Sequence, residues 1–203
     1  IHFSSDYIFD GEKGPYHESS RPNPINFYGK SKLASENQIK LAKIKSTIIR
    51  TNLLFGKTSL PKPNFVSNLV DSFKHNQKVK VVNSLYSSPV LTNDIAFGVM
   101  RVILLEGYGI YNFSGPNYLS RYEIAKAVTD VFGFNPNLII PTSLSEIEFQ
   151  ARRPIRAGLL NQKAQKQLGA HFQNISDALR EYKSVLELDQ TVRDIATLKH
   201  YHN

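Results

Sequence analysis

The sequence predicts an α/β protein built around a parallel sheet with helical crossovers. Its first residues are apolar and end at Ser5, which indicates a buried strand. A loop rich in glycine and proline follows, and Asn26 can then cap a helix that runs to about Lys43. The β-branched and apolar stretch from Thr47 to Leu54 predicts a second buried strand. Strands that alternate with helices in this way are typical of a parallel sheet.

Further helices and strands are predicted beyond a proline-rich connector at residues 57–64. Apolar residues recur at helical spacing after Asp94, and Ser120 with Glu123 has the spacing of a capping box. The predicted helices cover residues 65–75, 162–168 and 176–186 and also begin at Asp94 and Ser120, while strands are predicted at 79–82, 110–113 and 138–140.

Composition excludes several classes of site. The chain has 203 residues, of which 41% are hydrophobic and 21% charged, as in an ordinary globular protein. It has no cysteine, which excludes disulfides, thiolate metal sites and a cysteine nucleophile. His200 and His202 form a short H-x-H, which is a weak metal signal without neighbouring carboxylates. No apolar run approaches the roughly 20 residues that span a bilayer. We expect a cytoplasmic protein without a metal or a membrane partner.

A formal net charge of +8 raises the question of nucleic-acid binding. The positive residues are scattered, and no RNA-binding motif with interleaved aromatic residues accompanies them. We interpret the charge as a solvated lysine-rich surface that also attracts an anionic small molecule. No nucleic-acid partner is expected.

Tyr28 and Lys32 lie one helical turn apart, which is close enough for their side chains to interact. The same spacing recurs at Tyr122 and Lys126, in a helix whose apolar stripe is explained by packing. The first pair differs because it follows a strand that ends in the hydroxyl of Ser5. An ammonium about 4 Å from a phenol, at an effective dielectric of about 20, favours the phenolate by roughly 4 kcal/mol. Such a pair suits proton transfer near neutral pH, with Ser5 holding a substrate carbonyl and Tyr28 donating the proton. The alternative is a packing tyrosine and a surface lysine.

These residues resemble those of the extended short-chain dehydrogenase/reductase family. Within that family the chain is similar to dTDP-4-dehydrorhamnose reductases and to the regulatory subunit of methionine adenosyltransferase. The resemblance covers most of the chain and is most specific in its first third. The matching segments are Ser4-Ser5-Asp6-Tyr7-Ile8-Phe9-Asp10-Gly11, Pro15-Tyr16-His17-Glu18, Pro22-Asn23-Pro24-Ile25-Asn26-Phe27-Tyr28-Gly29-Lys30-Ser31-Lys32-Leu33, Glu36 and Arg50-Thr51, with weaker echoes at Tyr111-Asn112-Phe113-Ser114-Gly115, Tyr122-Glu123 and Arg153-Pro154.

The resemblance implies a particular fold and domain division. We expect the C-terminal part of a doubly wound Rossmann-type parallel sheet plus a small α/β substrate lobe. Residues 1–56 would belong to the cofactor-binding and catalytic Rossmann domain. Residues 57–203 would form mainly the substrate-binding lobe, with some elements returning to the sheet.

The resemblance also implies ligands and the residues that bind them. The cofactor would be NADP(H), with NAD(H) as the alternative, and the substrate a nucleotide sugar. A homodimer or a partner enzyme is also implied. Catalysis would fall to Ser5, Tyr28 and Lys32, cofactor binding to Tyr28, Lys32, Arg50 and Asn52, and substrate binding to Ser5, Asp6, Leu53 and Arg153.

The sequence departs from the family pattern in two places. Reductases of the deoxysugar often carry Trp where this chain has Leu53, which leaves the exact sugar open. The glycine-rich dinucleotide fingerprint is also missing, since Gly107 and Gly109 form an isolated G-x-G with no third glycine. That fingerprint follows the first strand of a Rossmann domain. We therefore expect the N-terminal half of the domain to be absent, through a partial sequence or a truncated gene.

Three functions remain open at the level of sequence. The resemblance implies NAD(P)H-dependent reduction of a 4-keto group on a nucleotide-activated deoxysugar by the full-length parent. One alternative is a non-catalytic, cofactor-binding subunit that regulates a partner enzyme. The other is an inactive truncated remnant.

The missing fingerprint generates a prediction about cofactor binding. We expect the 203-residue polypeptide alone to bind NADPH weakly, because the helix N-terminus that neutralises the cofactor pyrophosphate would be lacking. Fluorescence titration of the purified chain with NADPH measures the affinity directly. Tight binding would contradict this expectation.

Overall fold

Three parallel strands form the sheet that organises the molecule. In the computed structural model, which describes residues 1–58 and 63–200 and side chains as far as residue 191, β1 (His2–Ser5) pairs with β2 (Thr47–Thr51). The second strand also pairs with β7 (Gly109–Phe113). The register aligns the last residues of all three strands at one edge of the sheet. The predicted α/β fold with a parallel sheet is confirmed.

Helix α1 (Phe27–Leu41) lies against β1, and its start is fixed by two local contacts. The Asn26 side chain caps the helix, because its Oδ1 accepts a hydrogen bond of 2.8 Å from the Gly29 backbone N–H. Gly29 also permits a close approach of the helix to the residues after β1. A Cβ added at this position would lie 2.0 Å from the carbonyl oxygen of Tyr7. The first turn of the helix is therefore pressed against the carboxyl end of β1.

The remaining elements form short strand pairs and a set of helices. The elements are β3 (Leu54–Phe55), α2 (Phe65–Lys74), β4 (Val79–Val82), β5 (Tyr86–Ser87), β6 (Val90–Leu91), α3 (Thr92–Leu104), β8 (Leu119–Ser120), α4 (Arg121–Phe132), β9 (Ile139–Thr142), α5 (Gln162–Leu168) and α6 (Ile175–His200). β3 pairs with β6 and β4 with β9 in parallel, and β5 pairs with β8 in antiparallel fashion. Three single 3₁₀ turns cover residues 6–8, 136–138 and 144–146.

Three apolar clusters hold these elements together, the smallest of them formed by Ile8, Phe9, Tyr16 and Leu159, and two are large. One of the two large clusters joins the sheet to α3 and α5 through buried side chains such as Ile49, Phe113 and Leu168. The other lies between α2, α4 and α6, where Leu69 and Leu179 have no exposed surface. Burial of an aliphatic side chain of this size stabilises the fold by about 1.5–3 kcal/mol. No helix in residues 1–58 or 63–200 has the length and apolar character needed to cross a bilayer.

The single strand predicted over Thr47–Leu54 is wrong, because the structure has two strands there. β2 belongs to the three-stranded sheet, whereas β3 pairs with β6, and Asn52 and Leu53 lie between them. Both strands are largely buried, and the segment between them contains no glycine or proline that would mark a turn. The chain bends between β2 and β3, so Asn52 and Leu53 belong to neither strand.

Other predicted boundaries shift by small amounts, with one larger difference. The helix predicted from Asp94 begins at Thr92, and the helix predicted over residues 176–186 continues to His200. The capping box of Ser120 and Glu123 is confirmed by both of its hydrogen bonds. Part of the predicted connector, residues 59–62, and His202 of the H-x-H lie outside the described residues.

A buried ion pair ties α1 to β2. The Arg50 guanidinium donates to Glu36 Oε1 through Nε at 2.9 Å and to Oε2 through Nη2 at 2.7 Å. Its Nη1 donates to the carbonyl oxygen of Glu18 at 2.9 Å. Both charged side chains are at most 2% exposed. Burial alone would raise the pKa of Glu36, but the hydrogen bonds and charge of Arg50 outweigh it and hold that pKa below its usual value.

Replacing Glu36 with Gln is expected to lower the free energy of unfolding by about 3–5 kcal/mol, because the Arg50 charge would stay buried without its partner. Urea denaturation measures the change. The matched control is Lys40→Gln, which removes an exposed partner 3.4 Å from the same carboxylate and should cost at most about 0.5 kcal/mol. Equal losses in the two variants would contradict the importance of the buried pair.

Candidate active site

A cavity of about 220 Å³ opens at the carboxyl edge of the sheet, beside the end of β1. In open α/β sheets this edge is where ligands bind. Three stretches that the sequence singled out meet there, namely the end of β1, the start of α1 and the bend after β2. The cavity is lined by Ser5, Asp6, Tyr7, Tyr28, Asn52, Leu53, Leu85, Tyr86, Ser87, Arg121, Pro154 and Ala157.

Ser5 and Asp6 form a hydrogen-bonded pair at the floor of the cavity. The Ser5 hydroxyl donates to Asp6 Oδ1 at 3.1 Å and accepts from the backbone N–H of Tyr7 at 3.2 Å. Both residues are buried. Burial raises the pKa of Asp6 to about 7, since the Ser5 hydrogen bond and the charge of Arg121 oppose it only in part. The carboxyl group is therefore divided between its neutral and charged forms near neutral pH.

Tyr28 stands at the rim of the cavity with Lys32 behind it. The Tyr28 side chain is half exposed, and its ring meets the Tyr7 ring edge-on with 5.7 Å between centroids. Lys32 Nζ lies 5.8 Å from the centroid of the Tyr28 ring and donates to the carbonyl oxygen of Phe3 at 3.1 Å. Both side chains thus share the face of α1 that adjoins β1. The structure brings Ser5 and Tyr28 to one cavity and places the Lys32 ammonium beside them.

Asn52 and Leu53 reach the cavity because the chain bends between β2 and β3. The Asn52 side chain has both its Oδ1 and its Nδ2 buried without a hydrogen-bond partner among the described residues. An unpaired buried amide costs about 1–3 kcal/mol. Both atoms are therefore available to a ligand that enters the cavity. Leu53 contributes an apolar wall at the position where the resemblance expects Trp.

Arg50 and Arg153, which were predicted to bind ligands, do not line this cavity, and neither does Lys32. Arg50 is held beneath the sheet, where all three guanidinium nitrogens donate to Glu36 or to the Glu18 carbonyl. These hydrogen bonds hold the guanidinium away from the cavity, so the structure differs from the expectation that Arg50 binds the cofactor. Arg153 is exposed, with its guanidinium carbon 4.4 Å from the Phe149 ring centroid. It lines a neighbouring groove of about 410 Å³ that Tyr28 also borders.

Arg121 lines the cavity and was missed by the sequence reasoning. It is the first residue of α4, and its guanidinium carbon lies 4.5 Å from the Phe65 ring centroid. Its Nη1 is buried and has no hydrogen-bond partner within the described part of the chain. Burial lowers the pKa of Arg121 to about 10, and the positive charge of Arg153 acts in the same direction. The group nevertheless stays charged at neutral pH.

Tyr122 and Lys126 lie in the same helix as Arg121 but do not line the cavity. Tyr122 packs against the apolar core between α2, α4 and α6, and Lys126 is exposed, which agrees with a structural role for that pair. An arginine directly after the N-cap of a helix gives no pattern in sequence that marks it as a ligand. Within the described residues, no group of three or more histidine, aspartate or glutamate side chains could hold a metal ion.

The fold and the site together define a class of protein. A parallel α/β sheet with a serine at a strand end, and a tyrosine and a lysine on the next helix, is the arrangement of extended short-chain dehydrogenase/reductase proteins, as the resemblance indicates. Comparison with protein-family models makes this specific. The model described as "RmlD substrate binding domain" matches residues 1–187, and the chain belongs to that family.

Individual relatives carry different names. The chain is 33% identical to the spore coat polysaccharide biosynthesis protein SpsK of Bacillus subtilis (strain 168), over 90% of this chain and 62% of that protein. It is 30% identical to methionine adenosyltransferase 2 subunit beta of Danio rerio, over 78% of this chain and 51% of that protein. The chain thus spans between half and two thirds of the length of these relatives.

A solved structure agrees with the family. The dTDP-4-dehydrorhamnose reductase of Bacillus anthracis str. Ames, in complex with NADP, superposes with a TM-score of 0.82 at 28% identity. The superposition covers 89% of this chain and 63% of that one. The resemblance inferred from the sequence is confirmed.

The raised pKa of Asp6 generates a prediction about stability. In the native state Asp6 binds its proton more tightly than in the unfolded chain, so the native state holds more protons between about pH 4 and pH 7. The free energy of unfolding should therefore fall across this window as pH rises, by on the order of 4 kcal/mol from this group.

The Asp6→Asn variant is expected to lack this fall, and urea denaturation at several pH values measures it. The control is Asp177→Asn on α6, which removes an exposed carboxylate whose pKa is lowered by the hydrogen bond from Arg180. That variant should keep the fall. An unchanged slope in Asp6→Asn would show that Asp6 is ionised in the native state throughout the window.

Proposed function

We propose that the protein of which this chain forms at least a part reduces the 4-keto group of a nucleotide-activated deoxysugar. The observation that carries the proposal is the shared cavity of Ser5 and Tyr28, with the Lys32 ammonium 5.8 Å from the Tyr28 ring centroid. Membership of the RmlD family and the similarity to a dTDP-4-dehydrorhamnose reductase support this substrate class.

Proton delivery in this proposal belongs to Tyr28. A ketone that receives a hydride at carbon becomes an alkoxide, and a phenol within reach of that oxygen can protonate it in the same step. The nearby Lys32 ammonium stabilises the phenolate left behind. Ser5 positions the ketone oxygen by a hydrogen bond from its hydroxyl, which must first turn away from Asp6.

NADP(H) is the cofactor we propose, since a relative of this family is solved in complex with NADP. When bound, the nicotinamide supplies the hydride. The residues present fit such a group, because the Asn52 amide is buried without a partner among the described residues and faces the same cavity as Tyr28. In this proposal Asn52 and Lys32 hold the nicotinamide end of the cofactor. Arg50 instead positions α1 on the sheet through Glu36.

Substrate binding falls to the other walls of the cavity. Asp6, Leu53 and the segment after Phe149 surround the space next to Ser5, and they come from both sides of residue 56. We propose that residues 1–56 supply the catalytic and cofactor side. Residues 57–203 would supply mainly the substrate side, while α3 and β7 return to the sheet.

A second function is favoured by a separate observation, the similarity to methionine adenosyltransferase 2 subunit beta. In that case the protein would bind the cofactor without turnover and would associate with a methionine adenosyltransferase. Leu53 in place of Trp is compatible with this function. Stable association with a purified methionine adenosyltransferase, together with absent reductase turnover, would favour it over the reductase.

Replacing Tyr28 with Phe in the complete gene product is expected to lower reductase turnover by a factor of about 100 or more, because the proton donor is lost. Cofactor affinity should be kept, since the ring remains. Oxidation of NADPH in the presence of a dTDP-4-keto-6-deoxy sugar measures turnover. The matched control is Tyr122→Phe, which has the same Tyr-x-x-x-Lys context and should keep full turnover. Equal rates in Tyr28→Phe and the unaltered protein would rule out Tyr28 as the acid.

A further inference from the structure

Arg121 is a partly buried cation whose buried Nη1 lacks an anionic partner among the described residues. Its Nη1 has no hydrogen bond, and none of the ion pairs within the described part of the chain includes it. Its guanidinium lies over the Phe65 ring instead. A charged group withdrawn from water without a hydrogen-bonded counter-charge lowers stability, which is why such groups are rare away from ligand sites.

The nearest candidate for a counter-charge does not serve as one. Asp6 lines the same cavity, but its Oδ1 accepts the hydroxyl of Ser5, and it does not lie within ion-pair distance of Arg121. Its carboxyl group is also partly neutral near pH 7. Arg153 adds a second positive charge close enough to affect Arg121. Asp6 still favours the charged form of Arg121, but through a longer-range interaction and not through an ion pair.

Other hydrogen-bond donors also line this cavity. Besides Arg121, the Asn52 amide group has a buried Nδ2 without a partner in the described residues. The Ser5 and Tyr28 hydroxyls can donate as well. A ligand rich in acceptor oxygens, with negative charge next to Arg121, would satisfy all of these groups. A planar guanidinium is suited to two oxygens of one phosphate or carboxylate group.

We propose that Arg121 is the anion-binding residue of this cavity and that the substrate presents phosphate or carboxylate oxygens to it. This inference rests on the proposed function and narrows its substrate class to sugars whose anionic group reaches the same cavity as Ser5 and Tyr28. The oxygens can come from a nucleoside diphosphate or from a carboxylate on the sugar itself. Both sources share the chemistry that Arg121 recognises.

The competing interpretation is that Arg121 serves the fold by packing on Phe65. A stacked cation and ring contribute about 0.5–2 kcal/mol. Under that interpretation, removal of the guanidinium lowers the melting temperature and leaves ligand affinity unchanged. Under ours, removal of an unpaired, partly buried charge leaves the melting temperature unchanged or raises it, and affinity is lost.

The test is isothermal titration calorimetry on the full 203-residue chain and its variants. The probes are dTDP against thymidine for the diphosphate source, and UDP-glucuronate against UDP-glucose for the carboxylate source. The variants are Arg121→Met, which keeps the apolar stem, and Arg121→Lys, which keeps the charge without the fork. Arg180→Met is the matched control, because it removes an exposed arginine on α6 that pairs with Asp177.

We expect Arg121→Met to weaken binding of the anionic probe by about 10- to 100-fold and Arg121→Lys to weaken it less. A loss for dTDP but not for thymidine identifies the diphosphate. A greater loss for UDP-glucuronate than for UDP-glucose identifies the sugar carboxylate. Arg180→Met should bind like the unaltered chain.

Unchanged affinity for all four probes in Arg121→Met would overturn the inference. So would the absence of binding to the unaltered chain at millimolar probe concentration. A lower melting temperature with unchanged affinity assigns Arg121 to packing and overturns it as well. Because binding is measured without turnover, the Tyr28→Phe assay can fail while Arg121-dependent binding persists, which separates this inference from the proposed reaction.

Discussion

The close contact between the first turn of α1 and the end of β1 is the constraint on which the candidate site depends. It requires a glycine at position 29, because any Cβ there would overlap the carbonyl group of Tyr7. The contact is held at one end by the Asn26 cap and further along the helix by the pair of Glu36 and Arg50. Together these interactions fix both the depth and the rotation of α1. Tyr28 lines the cavity for that reason, and not because of Tyr-x-x-x-Lys spacing alone.

Local patterns in the sequence predicted what is determined locally. The cap at Asn26, the capping box at Ser120 and the parallel order of strands and helices all follow from short-range chemistry. The bend at Asn52 could not be predicted, because the strands on either side of it are both largely buried and no glycine or proline marks a turn between them. That bend depends on which strand each half pairs with, and pairing partners are distant in sequence.

The arginines show the same limit for the site. Arg50, Arg121 and Arg153 are chemically identical in the sequence, yet one is enclosed by Glu36, one lies unpaired in the cavity and one is exposed. Their roles depend on the acceptors that tertiary structure brings within 4 Å. Asn26 shows that such contacts join residues distant in sequence, since its side chain also donates to the carbonyl oxygen of Arg152 at 2.9 Å. The helix cap thereby links the start of α1 to the segment that carries Arg153.

The unpaired groups of the cavity bear on catalysis as well as on binding. A fold that leaves the Asn52 amide and the Arg121 Nη1 without partners among the described residues is less stable than one in which they are paired. Such a cost is typical of sites that are already arranged for a polar ligand before it arrives. The proposed regulatory function would require cofactor binding alone, and the residues proposed for that are Asn52 and Lys32. The additional donors stand on the side of Ser5, where a ketone and its sugar would lie, and this placement favours a protein that binds a substrate beside its cofactor.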